Sequence, residues 1–348
     1  MRQRNWILAL VFLSLTSMTM GLGVLDGCTD TFPSAIVDTI RIVHSDTTII
    51  DTTFAGWTLS TQDTARSFYV VNFTNSQLGV VAGDSGVVML STDGALTWQR
   101  LTTPTTSSLY CAHFFDSDTG IVAGNEMFVY RTTDKGATWT PIQAEADNSL
   151  VFRSMYFLDT SFGFMTAGGN AGSTGALFQT LDAGRTWTKI LQSPGGSLYG
   201  IAFSDGDNGV VTGARNVLLR TSDRGTTWTN VYTQVSDVIQ SPAYITPNII
   251  VASCYANNTS GYFIRSTDAG LTWTKGPLYP FGLQAVAASI NSTTMAGWGG
   301  DVLSSIDYGL SWTHSKLPYD RIVGGTNVGR NTILLVGSHG SITRRDGF

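Results

Sequence analysis

One octapeptide pattern recurs six times along this chain: STDGALTW (91–98), TTDKGATW (132–139), TLDAGRTW (180–187), TSDRGTTW (221–228), STDAGLTW (266–273) and SIDYGLSW (305–312). Its consensus is S/T-x-D-x-G-x-T/S-W, with one departure, Ala95 in the glycine place. A second pattern, an apolar run closing on a small residue, recurs seven times: VVAG (80–83), IVAG (121–124), MTAG (165–168), VVTG (210–213), IVAS (250–253), TMAG (294–297) and LLVG (334–337). Successive copies stand 40 to 45 residues apart, and an alternating strand-like segment precedes each, as in FYVVNFTN, LYCAHFFD, FRSMYFLD and LYGIAFSD. That period is one four-stranded propeller blade. Residues 54–348 therefore predict an all-β, seven-bladed β-propeller.

Seven apolar strands but six downstream tryptophans leave one blade without its outer strand. The seventh unit ends at SITRRDGF, while Trp57 stands alone near the start, 41 residues before Trp98, as Trp98 stands 41 before Trp139. The N-terminal segment around Trp57 is thus expected to supply the outer strand of the last blade, hydrogen-bonding the two ends of the domain and removing an exposed edge.

The repeated aspartates, Asp93, Asp134, Asp182, Asp223, Asp268 and Asp307, belong to turns joining the third and fourth strands. Such a carboxylate accepts hydrogen bonds from its own turn, and the glycine supplies a positive φ. Trp98, Trp139, Trp187, Trp228, Trp273 and Trp312 then open the outer strands and are expected to bury their rings between adjacent blades. A calcium loop needs several oxygens on one ion, and each of these turns offers one carboxylate. They read as structural, and the sequence calls for no metal or cofactor.

Ahead of the repeats, Arg2 and Arg4 precede an apolar run from Trp6 to Leu15, a weaker stretch to Val24, and the tetrapeptide Leu25-Asp26-Gly27-Cys28. This reads as an export signal. Residues 1–28 resemble a bacterial lipoprotein signal peptide, in which Cys28 would carry the lipid, although Asp26 departs from the usual small or apolar residue. The alternative is an uncleaved anchor of about 20 residues from Trp6 to Leu25. Either reading places the domain outside the cytoplasm, in the bacterial cell envelope. Residues 29–53, rich in Thr, Asp and Ser, read as a tether, with Ile40, Ile42, Ile49 and Ile50 also permitting a short edge strand.

Composition narrows the function. With 42% apolar and 13% charged residues the chain can bury a large core and is not a disordered one. The net charge of −5, with Lys and Arg scattered singly, excludes a phosphate-backbone binder. Only two glutamates occur, Glu126 and Glu145, so acid–base chemistry would fall to aspartate. Cys111 and Cys254 lie in the second and fifth repeats, too far apart around a ring for a disulfide, and read as buried thiols. A binding site would sit where the loops after the V-x-G strands surround the channel. Those loops present Asp84, Glu126, Asn170, Arg215, Asn257 with Asn258, Asp301 and His339 as a candidate partner-binding rim.

The octapeptide is the Asp box, or bacterial neuraminidase repeat, and the string of strand, V-x-G, loop, strand and T-x-D-x-G-x-T-W resembles the photosystem II assembly and stability factor family over residues 54–348. The resemblance implies a seven-bladed propeller that assembles with protein partners. Photosynthetic members carry an arginine-rich patch, whereas Arg131, Arg153, Arg185, Arg215, Arg220 and Arg224 form no comparable cluster in this sequence. Asp boxes also occur in sialidases and xyloglucan-cleaving hydrolases. The sialidase arginine triad, its tyrosine–glutamate pair and its F/Y-R-I-P motif are missing, as is a distinctive carboxylate pair for glycoside hydrolysis. The expectation is a lipid-anchored, non-enzymatic interaction or assembly platform with a protein partner. A glycan-binding or carbohydrate-active propeller is the competing reading.

Overall fold

The computed structural model describes residues 37–44, 48–54 and 56–347, apart from 62, 145–148, 170–173, 194, 234, 258 and 330. Seven antiparallel sheets follow one another along the chain. Blade one shows the order from the inside out: Phe68–Phe73, Gly79–Gly83, Val88–Ser91 and Gln99–Leu101. The innermost strands of the following blades are Leu109–Phe114, Leu150–Phe157, Leu198–Phe203, Val238–Tyr244, Leu283–Ala288 and Ile322–Val328. Each touches the next, and Ile322–Val328 meets Phe68–Phe73, so the ring is closed.

Closure takes the form expected. Trp57–Thr61 pairs antiparallel with Ser341–Asp346, with Thr58 opposite Arg344 and Thr61 opposite Ser341, as the fourth strand of blade seven. Trp57 is wholly buried among Ala285, Ala296, Val302, Ile322, Ile333 and Leu335, between blades six and seven. The backbone of Val37–His44 and Thr48–Phe54, inside the stretch read as a tether, continues this blade outward as a hairpin on Trp57–Thr61. Its β-branched residues suit a pleated strand, a preference that the Asp-Thr pairs obscure. The signal-like residues 1–28 lie outside the described residues.

Seven apolar clusters, one per junction between neighbouring blades, make the core. Trp98 packs with Phe68, Val81, Leu334 and Ile342, and Trp139 with Leu78, Val80, Leu101 and Phe114. Four tryptophans stand edge-on to the phenylalanine that closes their own blade's innermost strand: Trp98 to Phe73, Trp139 to Phe114, Trp187 to Phe157 and Trp228 to Phe203, at 6.0 to 6.3 Å between ring centroids. Burial of rings of this size contributes a few kcal/mol at each junction. Cys111 and Cys254 are separate buried thiols within this core.

The Asp boxes are self-contained turns. In each, the leading Ser or Thr hydroxyl donates to the aspartate, as Thr132 does to Asp134 at 2.8 Å, and accepts the N–H of the fifth residue at 2.9 Å, a glycine in all but the first box, where it is Ala95. The other carboxylate oxygen accepts a hydroxyl four residues beyond, such as that of Thr138 at 2.6 Å. At Asp134, Asp223 and Asp307 the hydroxyls of Thr138, Thr227 and Ser311 are the largest influence, holding the carboxyl below its ordinary range. At Asp93, Asp182 and Asp268 burial opposes the shift, and the same bonds outweigh it. Two consecutive residues take positive φ in every box; in the first copy they are Gly94 and Ala95, so the glycine has moved by one position while the turn is kept.

Candidate functional site at the channel mouth

The V-x-G glycines reveal how the mouth is built. A Cβ at Gly83 would stand 2.0 Å from the carbonyl oxygen of Ser67, and one at Gly124 2.1 Å from that of Ser108. The chain entering the innermost strand crosses directly over the end of the second strand at this point. The N–H groups of Asp84, Asn125, Ala214, Trp298 and Ser338 bond to the crossing segment. This crowding leaves no room for a side chain at the glycine.

Every innermost strand also shifts register near this end. Between Phe68 and Val70 the pairing skips Tyr69, and the other blades skip Tyr110, Arg153, Tyr199, Gln240 with Ser241, Gln284 and Val323. A β-bulge turns its extra residue out of the ladder. All of these residues line one cavity of about 600 Å³ that runs through the centre of the ring, where Arg321 joins them.

Four of these side chains form a continuous arc over blades one to four. The Tyr69 and Tyr110 rings stack at 5.0 Å, and the Arg153 guanidinium lies 5.4 Å from the Tyr110 centroid and 5.9 Å from that of Tyr199. Arg153 Nε is buried with no hydrogen-bond partner among the described residues. On the other side of the mouth Arg321 donates to Gln284 at 2.9 Å and lies 4.4 Å from the Trp298 ring. Among the described lining residues there is no carboxylate. The mouth therefore presents two cations and three tyrosines in a chain whose net charge is −5.

Asp84 fastens the arc to the blade. Its Oδ1 accepts the Tyr69 hydroxyl at 2.6 Å and the Ser108 hydroxyl at 3.3 Å, and its Oδ2 accepts the N–H of Ser67 at 3.2 Å. Burial, and then this bond to Asp84, push the Tyr69 hydroxyl well above the ordinary phenol range.

The rim residues expected from the sequence are scattered around this centre. Asp84 opens a short turn, Asp84–Gly86, and reaches the cavity only through Tyr69. Glu126 sits in the turn Asn125–Met127 and accepts the Ser107 hydroxyl at 2.9 Å. Arg215 lies at a separate shallow cavity of about 290 Å³ with Asn216, Tyr232, Val235 and Ser236. Asp301 is not in a loop: it opens the strand Asp301–Ser305, is buried, and holds His314 Nε2 at 2.7 Å. His339 occupies the turn Ser338–Gly340, and Asn257 ends the strand Ile250–Asn257. Asn170, like Asn258 and Cys28, lies outside the described residues. Among the described residues, the side chains that converge on the mouth come from the innermost strands and, in Arg321, from the residue just before one. The signal was present near the start of six inner strands, where FYV, LYC, FRS, LYG, IQS and LQA interrupt an apolar face.

Three other arginines brace neighbouring blades through their Asp boxes. The Nε atoms of Arg131, Arg220 and Arg265 donate to the carbonyls of Ala183, Ala269 and Tyr308 in the Asp box of the next blade, at 2.8 to 3.2 Å. Arg224 pairs with Asp159 at 2.6 Å.

A phenol raised by burial and by an anionic partner adds stability below its unfolded value of about 10, and that stability is lost as pH rises above it. Tyr69→Phe should lower stability by about 1.5 kcal/mol at neutral pH and should flatten the loss on going to more alkaline solution. Denaturant titrations of both proteins at neutral pH and above the ordinary phenol range measure this, and identical alkaline slopes would contradict it.

A family model described as photosynthesis system II assembly factor YCF48 matches residues 50–202, from the strand Thr48–Phe54 into blade four. Among solved structures, YCF48 bound to a D1 peptide superimposes with a TM-score of 0.66 at 20% identity, covering 88% of this chain and 100% of that one. YCF48 from Cyanidioschyzon merolae gives 0.63 at 17% identity, over 84% and 99% of the two chains. The WD40 propeller domain of Doa1 gives 0.61 at 12% identity, over 82% and 94%, a likeness of fold. No curated protein matches the chain. The chain is an Asp-box β-propeller that resembles the photosystem II assembly factor family.

Proposed function

We propose that this propeller is a non-enzymatic protein-binding platform, and that its channel mouth receives an extended segment of a partner protein. Arg153 carries the reading. A guanidinium held between two tyrosine rings, with a buried Nε lacking a partner, is a poised donor whose desolvation a bound carbonyl or carboxylate would offset. Tyr69, Tyr110 and Tyr199 add rigid contact area at small entropic cost, as at many protein-binding surfaces. The similar YCF48 fold in complex with a D1 peptide supports a peptide as the occupant. Glycoside hydrolysis needs two carboxylates facing the substrate, and the described cavity lining supplies none.

We further propose that the protein is exported and held to a bacterial envelope membrane through a lipid on Cys28. The basic start, the apolar run and the Gly27-Cys28 junction support this reading.

Two experiments test these proposals. In the first, wild-type protein is screened on an array of short neutral and acidic peptides. Peptides bound by the wild type should lose about tenfold or more in affinity to Arg153→Glu and bind Arg215→Ala unchanged. Equal binding by Arg153→Glu, or no binding at all, would sink the mouth as the site. In the second, cells grown with a clickable fatty acid should label the wild type but not Cys28→Ala. Label absent from the wild type, or equal in both, refutes acylation at Cys28.

A further inference from the structure

The end of the ring opposite the mouth carries an uneven distribution of apolar residues. At the tip of the blade-six Asp box, Ile306 and Leu310 are 78% and 71% exposed, and Tyr308 between them is 43% exposed. The neighbouring tips add Leu271 of blade five at 59% and Ile290, in the inner turn of blade six, at 59%. Arg265 Nε of blade five donates to the Tyr308 carbonyl at 2.9 Å, so the two Asp boxes adjoin. Leu96 of blade one, 72% exposed, continues the series beyond blade seven, which has no Asp box. Across the ring the equivalent tips carry no large apolar side chain: Thr133, Lys135 and Ala137 in blade two, Ser222, Arg224 and Thr226 in blade four. Leu181 of blade three stands apart from the series. Single exposed apolar residues need no explanation, whereas a concentration on one sector does.

Blade seven, in the middle of that sector, is where the N-terminal chain arrives. Ser341 follows the mouth-side turn Ser338–Gly340 and pairs with Thr61, so Trp57 lies toward the opposite end. Phe54 pairs with Trp57 and Val37 with Phe54, which puts Val37 at the Asp-box end as well. Asn291, beside Ile290, donates to Asn331 of blade seven at 3.3 Å, joining the apolar turn to this blade. Residues 29–36 are all that separates Cys28 from Val37. Eight residues span at most about 30 Å.

We propose that the Asp-box tips of blades five and six rest in the interfacial layer of the lipid bilayer to which the N-terminus is attached. The inference rests on the membrane attachment described above and goes beyond it, fixing which face meets the lipid. Aliphatic side chains with one tyrosine among them suit the boundary between headgroups and acyl chains. The channel mouth then points away from the membrane, open to the partner.

The test uses the full-length acylated protein in vesicles of phosphatidylethanolamine and phosphatidylglycerol. An environment-sensitive fluorophore is attached at Leu310→Cys, at Ile290→Cys, or at Ala137→Cys in blade two; all three positions are on surface turns, so folding is not at risk. Labels at positions 310 and 290 should shift to the blue and lose intensity to nitroxide lipids spin-labelled near the headgroup, while the label at 137 should do neither. Protein that floats with the vesicles yet shows no lipid quenching at 310 and 290, or shows shielding there only from a second copy or another protein, overturns the lipid-facing assignment and leaves the anchor standing. Protein that stays out of the vesicles overturns both.

Discussion

The hydrogen-bonded pairing of Trp57–Thr61 with Ser341–Asp346 turns a linear array of repeats into a ring. A blade in an open array keeps one face of its innermost strand without a neighbour, and repeat proteins depend on stacking for stability. Closure gives Ile322–Val328 its place beside Phe68–Phe73 and encloses the cavity from all sides. The fully buried Trp57 shows what holds the seam, because its ring occupies the junction of blades six and seven as Trp98 occupies that of blades seven and one. Every feature at the mouth lies downstream of that closure.

Within the ring, the mouth end of each blade is where backbone crowding and side-chain variety meet, and in blades one, two, four, six and seven a chain crossing crowds it. In those blades the glycine ending the second strand lets the incoming chain pass at contact distance, and in every blade a bulge beside this point turns a side chain toward the axis. Each blade can thus change its contribution to the mouth without changing its core. Blades one to four contribute Tyr, Tyr, Arg and Tyr, whereas blades five to seven contribute Gln, Gln and Val. The Asp boxes govern the other end, where their carboxylates are taken up inside their own turns and only the intervening residues vary. Fold and function are therefore written in separate positions of one repeat.

This separation explains what the sequence made legible. The Asp boxes, the tryptophans and the V-x-G strands report backbone requirements that recur in nearly every blade, so their period revealed the blade number and the closing role of Trp57. Tyr69, Tyr110, Arg153 and Tyr199 share a position but no common chemistry, and an unpaired residue at the start of a strand has no periodic signature. The loops after V-x-G drew attention because they are polar, yet Asp301 turns out to begin a strand and Glu126 to accept the Ser107 hydroxyl from the segment that enters its blade's inner strand. Asp84 is the exception, and it acts by holding Tyr69. The strands Val37–His44 and Thr48–Phe54 were masked by Asp and Thr, whose turn chemistry competes with their isoleucines for the reading.

Amide hydrogen exchange at the seam tests the closed ring most directly. The third strand of blade seven, Ser341–Asp346, should exchange as slowly as Val88–Ser91, the third strand of blade one, because each has a partner strand on both sides. Exchange of Ser341–Asp346 at the faster rate of the blade-edge strand Gln99–Leu101 would mean that the N-terminal strand does not close the propeller in solution.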